Sequence, residues 1–254
     1  RSGARIVHCC GFDSIPSDLG VYFLQQQAQQ RFAQPCSSVK LRVKTMRGAA
    51  SGGTVASILN VVKESVSNPE VRKIMSNPFA ICPTGSGVRQ PNVNFAEFDQ
   101  DANSWVAPFV MAGINTRIVH RSNALSHHAY SQNFCYDEAV MTGQGLKGQV
   151  IAAAIATGLA GFIGAAALPP SRYLLEHFVV PKPGEGPSPI AQERGGYDFR
   201  FYGQTASGQT LQVKVTGDRD PGYGSTGKIL GEAAVCLALD TSKQDVKGGF
   251  WTPA

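Results

Sequence analysis

Cys9-Cys10-Gly11-Phe12-Asp13-Ser14-Ile15-Pro16-Ser17-Asp18-Leu19-Gly20 sets a turn between a short apolar run and an amphipathic one. Ala4 to Cys10, mostly apolar and β-branched, reads as a buried parallel strand. Phe12 to Ser17 supplies turn chemistry, and Ser17 or Asp18 can serve as helix N-cap. Gly20 to Phe32 then carries Val21, Phe23, Leu24 and Ala28 on one face and glutamines on the other. One strand and one helix cannot bury their own faces, so the expectation is a piece of a longer protein with something before this unit.

The 254 residues are 43% hydrophobic with 28 glycines, enough for one large domain or two small ones. A net charge of +5 comes from scattered Lys and Arg without a basic run, which argues against a nucleic-acid surface and leaves room for a carboxylate or phosphate partner. Cys9, Cys10, Cys36, Cys82, Cys135 and Cys236 form no CxxC pair and read as buried thiols of a reducing compartment. The expected location is cytoplasmic, peripheral to a membrane if an apolar segment further on lies against one.

Beyond the first helix, Ser38 to Arg47 alternates as a half-buried strand with a basic outer face. A helix follows over Thr54 to Val66, with Val55, Ile58, Leu59 and Val62 inward, and Asn68-Pro69 and Asn77-Pro78 bracket a short one. Ile81 to Val93 reads as a surface loop. Trp105 to Met111 is extended, and Gly113 to Leu125 is a helix with Ile114, Ile118 and Val119 inward and Arg117 and Arg121 one turn apart. Phe134 to Thr142 is a strand, Tyr197 to Thr205 and Thr210 to Gly217 form a hairpin, and Ser225 to Leu239 is a closing helix. Strands adjacent in sequence imply an α+β fold, a mixed and largely antiparallel sheet covered by helices.

Val150 to Leu168 contains no charge, is flanked by Lys147 and Arg172, and stops at Pro169-Pro170. Its length permits a span. Its alanines and glycines make insertion marginal, since the few large aliphatics give only roughly −0.3 to −0.6 kcal/mol each. Ala154, Gly158, Ala160 and Gly164 are spaced for close helix approach. Three readings stay open: a helix buried in the protein or at a subunit interface, membrane-surface contact, and a full span.

Three elements compete as site builders. Ser51-Gly52-Gly53-Thr54, after Gly48-Ala49-Ala50, can offer backbone N–H groups to an anion beside Arg47, or be an ordinary turn capped by Thr54. Gly217 to Gly227 offers Arg219 as a fork for a carboxylate or phosphate and Tyr223 as a hydroxyl, or is a loop held by an Asp-Arg-Asp ion pair. Asp13-Ser14 lies at the strand end where open α/β sheets place ligands, with Asp13 a site residue or a turn former and Asp18 a helix cap. His127-His128 lacks further ligands at metal spacing, so no metal is expected. The chain has no G-x-G-x-x-G, G-x-S-x-G or H-E-x-x-H.

Cys10 to Gly20, Lys182-Pro183-Gly184-Glu185-Gly186-Pro187-Ser188 and Gly217-Asp218-Arg219-Asp220-Pro221-Gly222-Tyr223-Gly224 together resemble saccharopine dehydrogenase-like oxidoreductases, the group that includes trans-acting enoyl reductases. Phe109 to Leu125 and Gly248 to Ala254 are similar in style. The resemblance implies that residues 1–34 are the tail of a nucleotide-binding Rossmann domain, 35–224 an α+β substrate and dimerisation domain including an apolar helix over 148–168, and 225–254 a closing helix returning to the first. It implies NADP or NAD held mainly by the amino-terminal domain, and hydride transfer to a small-molecule or lipid-like substrate by a homodimer. In this reading Tyr223 or a water held by Asp13 supplies the proton, Gly11, Phe12 and Ser14 meet the cofactor, and Arg219, Ser51, Gly52, Gly53, Thr54 and Arg117 meet the substrate. The alternative is a non-catalytic lipid- or membrane-associated module using Val150 to Leu168.

Overall fold

A computed structural model describes residues 2–48, 51–85, 87–182 and 184–254. Ala49 and Ala50 of the glycine-rich stretch and Pro183 of the Lys182–Ser188 motif lie outside the described residues. Along the chain run β1 (Arg5–Val7), α1 (Ile15–Phe32), β2 (Cys36–Arg47), α2 (Gly52–Ser67), α3 (Pro69–Ser76), β3 (Glu97–Asp99), β4 (Ser104–Pro108) and α4 (Ala112–Leu125). There follow β5 (Cys135–Gly143), α5 (Gly145–Ala167), α6 (Pro169–Leu174), α7 (Pro189–Glu193), β6 (Gly196–Thr205), β7 (Thr210–Gly217), α8 (Thr226–Val235) and β8 (Gly249–Trp251). Wider helical turns at Pro221–Ser225 and Cys236–Asp240 extend α8 at both ends.

The main sheet has the order β3-β4-β5-β2-β6-β7, in which β2 and β5 are parallel and every other neighbour is antiparallel. The fold is α+β, with a largely antiparallel sheet flanked by helices. Alternation along β2 sends Val39, Leu41 and Val43 to one face, where Val21, Leu24 and Ala28 of α1 meet them with Phe199, Phe201 and Val119. α1 lies close to the sheet because Gly20 has no side chain: a Cβ there would stand 2.2 Å from the Phe201 ring. Gly203 does the same from the sheet side, its Cβ position being 2.7 Å from Leu24.

α1 begins at Ile15-Pro16, earlier than a cap at Ser17 or Asp18 would require. Proline is tolerated in the first turn because the N–H it lacks has no intrahelical partner there, so Ser17 and Asp18 fall inside the helix and are buried. The opening strand is also shorter than Ala4 to Cys10, because Cys9 adopts a left-handed φ of 59° that breaks the extended run. β1 pairs in parallel with β8, a strand the sequence pattern did not announce, and Ile6 is 39% exposed rather than buried.

The outer face of β2 differs from the basic stripe expected. Arg42 is 1% exposed and ion-paired to Asp99 of β3, at 2.7 Å, and to Asp137 of β5. Adjacent β5 and, two strands further on, the end of β3 bring these carboxylates to the face that Arg42 occupies. On α4, Ile118 and Val119 are buried as the pattern implies, but Ile114 faces outward and Asn115 inward.

Replacing Arg42 by Met is expected to destabilise the protein by about 3–5 kcal/mol at neutral pH, because two carboxylates stay buried without a cation. Adding Asp99→Asn and Asp137→Asn should restore most of the loss. Urea unfolding of the single and triple variants checks this, and equal midpoints for wild type and Arg42→Met would contradict it.

Candidate active site

The turn after β1 is fixed to the loop before α8: the Phe12 N–H donates to Thr226 Oγ1 at 3.1 Å, and that hydroxyl donates to the Pro221 carbonyl at 2.8 Å. The two candidate loops are therefore neighbours. Asp13 is exposed on the turn, Gly11 is buried against Thr226, and Phe12 sends its ring into the core against Tyr197 and Phe199. Ser14 is fully buried and donates to Asn115 Oδ1 at 3.0 Å, facing α4 rather than the surface.

A second gathering point is the carbonyl of Glu185. It accepts from the Gly52 N–H at 3.1 Å and the Tyr223 hydroxyl at 3.2 Å, so α2, the 184–188 segment and the 217–227 loop converge on one atom. A Cβ on Gly52 would sit 1.8 Å from the Lys182 carbonyl. The amino end of α2 is thus filled by main chain, which, of the two readings, favours an ordinary turn over an anion site. Ser51 caps the helix by accepting from the Thr54 N–H at 3.1 Å, so Thr54 is not the cap, and Gly53 remains exposed. Among the described residues no Asp-Arg-Asp ion pair holds the 217–227 loop. Buried Asp220 does so, accepting from Tyr223 N–H at 3.1 Å and Gly224 N–H at 2.8 Å, while Arg219 is exposed.

Arg117 is brought to neither point. Its guanidinium donates to the carbonyls of Gly113 and Met75 and lines a cavity of about 670 Å³ with Arg89, Asp137 and Glu138. Another cavity of about 670 Å³ lies between the start of α1 and α8, walled by apolar groups including Ile15, Leu19, Ile229 and Leu237. Among the described residues no three His, Cys, Asp or Glu side chains gather as a metal site.

Two buried polar networks were not anticipated. Ser14 is linked through Asn115, whose amide donates to Glu138 Oε2 at 2.9 Å, and Tyr136 donates to Glu138 Oε1 at 2.7 Å. Burial raises the Glu138 carboxyl above its ordinary range against these hydrogen bonds. The adjacent acids Asp137-Glu138 inside an otherwise apolar strand were the available signal. In the other network, Asp18 Oδ2 accepts from Ser122 Oγ at 2.8 Å and Ala254 N–H at 3.0 Å, Ser122 also meets Thr252, and Asp18 Oδ1 has no partner among the described residues. Burial pushes the Asp18 carboxyl up to about 6. It likewise pushes the His120 imidazole down to about 4.

Neither of the two glycine-bearing turns is open to the pyrophosphate of a nicotinamide dinucleotide. Gly11 is closed by Thr226, and the α2 terminus is closed by the Lys182 and Glu185 carbonyls. What the turn does offer is an exposed carboxylate and main chain at the carboxyl end of a parallel strand pair.

No family model and no solved structure matches the chain. It is 38% identical over 268 residues to a Mycobacterium tuberculosis H37Rv protein assigned as a trans-acting enoyl reductase. It is 35% identical over 269 residues to the trans-acting enoyl reductase of Mycobacterium bovis BCG, and 35% over 265 residues to that of Mycobacterium ulcerans. Each match covers 100% of this chain and 63% of the relative, so the chain spans somewhat under two thirds of the length of these proteins. The similarity runs along the whole of this chain and is to proteins of one description.

Asp18 and His120 make opposite contributions to the pH dependence of stability. The Asp18 carboxyl, raised in the fold from 3.8 to about 6, loses stability as pH rises through that window, by up to roughly 3 kcal/mol. The His120 imidazole, lowered from 6.5 to about 4, gains it over nearly the same range. Asp18→Asn should therefore unmask a rise in stability from pH 4 to 6.5 that wild type largely cancels. Urea midpoints across that range test this, and parallel profiles for the two proteins would refute it.

Proposed function

We propose that this chain carries the substrate side of an NAD(P)H-dependent reductase of the wider saccharopine dehydrogenase-like group, acting on a lipid-like enoyl substrate. Similarity along the whole chain to trans-acting enoyl reductases carries the reading. The turn at Gly11–Asp13 tied to the loop before α8 supports it, since this joins two of the motifs on which the resemblance rests. In this reading the phosphates of the dinucleotide sit on a portion of the protein corresponding to the unmatched length of the relatives, and a water held by Asp13, or Tyr223, supplies the proton that completes reduction of the double bond.

The test is NADPH fluorescence and NADPH consumption with a trans-2-enoyl thioester, on a form extended to the full length of the relatives. Binding and turnover are expected from that form and not from the 254 residues alone. Loss of the proton donor should lower kcat about 10²–10⁴-fold, in Asp13→Asn or in Tyr223→Phe. Unchanged turnover in both variants would remove these two residues from the proposal, and absence of any nicotinamide binding by the extended form would remove the reductase itself.

A second reading has its own observation. α5 is 23 residues long; its most apolar 18-residue window has a mean hydropathy of 2.0, and only 17% of that window is buried. Gly158, Gly161 and Gly164 have nothing within 4 Å of where a Cβ would stand, so no part of the described chain covers that stripe. Burial of the helix against the described residues is thereby overturned over most of its length. Contact with a membrane surface fits the exposed Val150, Ile151, Ile155 and Ile163, with Tyr173 and Phe178 beyond. Flotation with anionic phospholipid vesicles should be lost in the triple variant Val150→Asp, Ile155→Asp, Ile163→Asp. Equal flotation of both proteins would dismiss membrane contact through α5.

A further inference from the structure

The cavity beside α4 holds a charge that the described chain leaves uncompensated. Arg117 is half-buried and makes no ion pair among the described residues. Its partners there are the carbonyls of Gly113 and Met75, and its buried Nε has none. Burial lowers the guanidinium's proton affinity from its usual value, the mark of a cation without a counter-ion. Arg89 on the opposite loop also makes no ion pair among the described residues.

The acids in the same wall are already committed. Asp137 pairs with Arg42 on the other side, and Glu138 accepts from Asn115 and Tyr136. Neither acid in the wall pairs with Arg117 or Arg89. Met75, Pro78, Phe79, Val88, Pro91 and Ala112 make much of the remaining wall apolar. Gln90 holds the loop rigidly to β5, donating to the Phe134 carbonyl at 3.0 Å and accepting from the Tyr136 N–H at 3.0 Å. The volume of about 670 Å³ is that of a site for a small organic ligand.

We infer that this cavity binds an amphiphilic acid, its carboxylate on Arg117 with help from Arg89 and its aliphatic body against the apolar wall. A guanidinium fixed by two carbonyls keeps its planar fork in place, so little side-chain freedom is lost when a carboxylate arrives. The cavity is also linked to the candidate turn: Glu138 in its wall connects through Asn115 to Ser14. The inference rests on the reductase reading only for the ligand being a substrate, and the affinity of the cavity stands apart from it.

Calorimetric titration of the 254-residue protein with trans-2-octenoate, trans-2-octenamide and inorganic phosphate tests the site without any nicotinamide. Octenoate is expected to bind about tenfold or more tighter than the isosteric amide. Arg117→Met should abolish that preference, and Arg89→Met, which alters an exposed side chain, should weaken octenoate about two- to fivefold, roughly what an exposed charge contributes. Equal binding of acid and amide, binding of phosphate with none of octenoate, or octenoate affinity unaltered in both variants would overturn it. Because no cofactor is present, failure here leaves the reductase proposal to its own test, and failure there leaves this one standing.

Discussion

The close seating of α1 on the sheet constrains most of the remaining architecture. Gly20 lies directly over Phe201, and Gly203 over Leu24, so helix and sheet backbones approach until the side chains of β2 and β6 interlock with Val21, Leu24 and Ala28. With that seam fixed, the first turn of α1 has nowhere to go but inward. Ser14, Ser17 and Asp18 are carried into the protein as polar groups that must find partners there.

They find them chiefly on α4. Ser14 meets Asn115 and so reaches Glu138 and Tyr136 on β5, while Asp18 meets Ser122 and the chain's last residues. The consequence is mechanical as well as electrostatic. β8 is held to α1 and α4 through Thr252 and Ala254, and Arg121 adds a bond to the Phe250 carbonyl at 2.8 Å. The small β1–β8 sheet is thereby coupled to the main body, and with it the turn that faces the loop before α8. One oxygen of Asp18 stays unpaired among the described residues, so part of the cost of this knot is never recovered.

Arginines divide by role according to what surrounds them. Arg42 is neutralised by two aspartates and belongs to the architecture of the sheet. Arg121 is spent on the carbonyls of Ile81 and Phe250. Arg117 has carbonyls but no acid among the described residues, and opens on a cavity. The same side chain three times over gives a structural ion pair, a main-chain clamp and a cation awaiting a counter-ion, and only the neighbouring chain decides which. α5 shows the same dependence with apolar groups: its first turns sit against β4 and β5, where Gly148 and Ala152 are buried, Ala166 is buried near its far end, and most of the markedly apolar face between is exposed.

Period and turn chemistry sufficed for the local elements. Alternation in Ser38–Arg47 and in the Tyr197–Gly217 hairpin, and helical spacing in Thr54–Val66 and Ser225–Leu239, correspond to observed strands and helices, because each pattern reports a face that must leave water. Short pieces escaped that logic. β8 and β3 are three residues each, too brief for a period, and exist through the partners they pair with. Of the candidate site, the sequence alone determined the composition of the two loops and the presence of Arg117, Tyr223 and Asp13. The tertiary structure decided that Ser14 points inward, that a carbonyl fills the end of α2, and that Arg117 faces a cavity with no acid from the described chain to answer it. Those outcomes depend on which distant segment arrives at each polar group, and sequence spacing carries no record of that arrival.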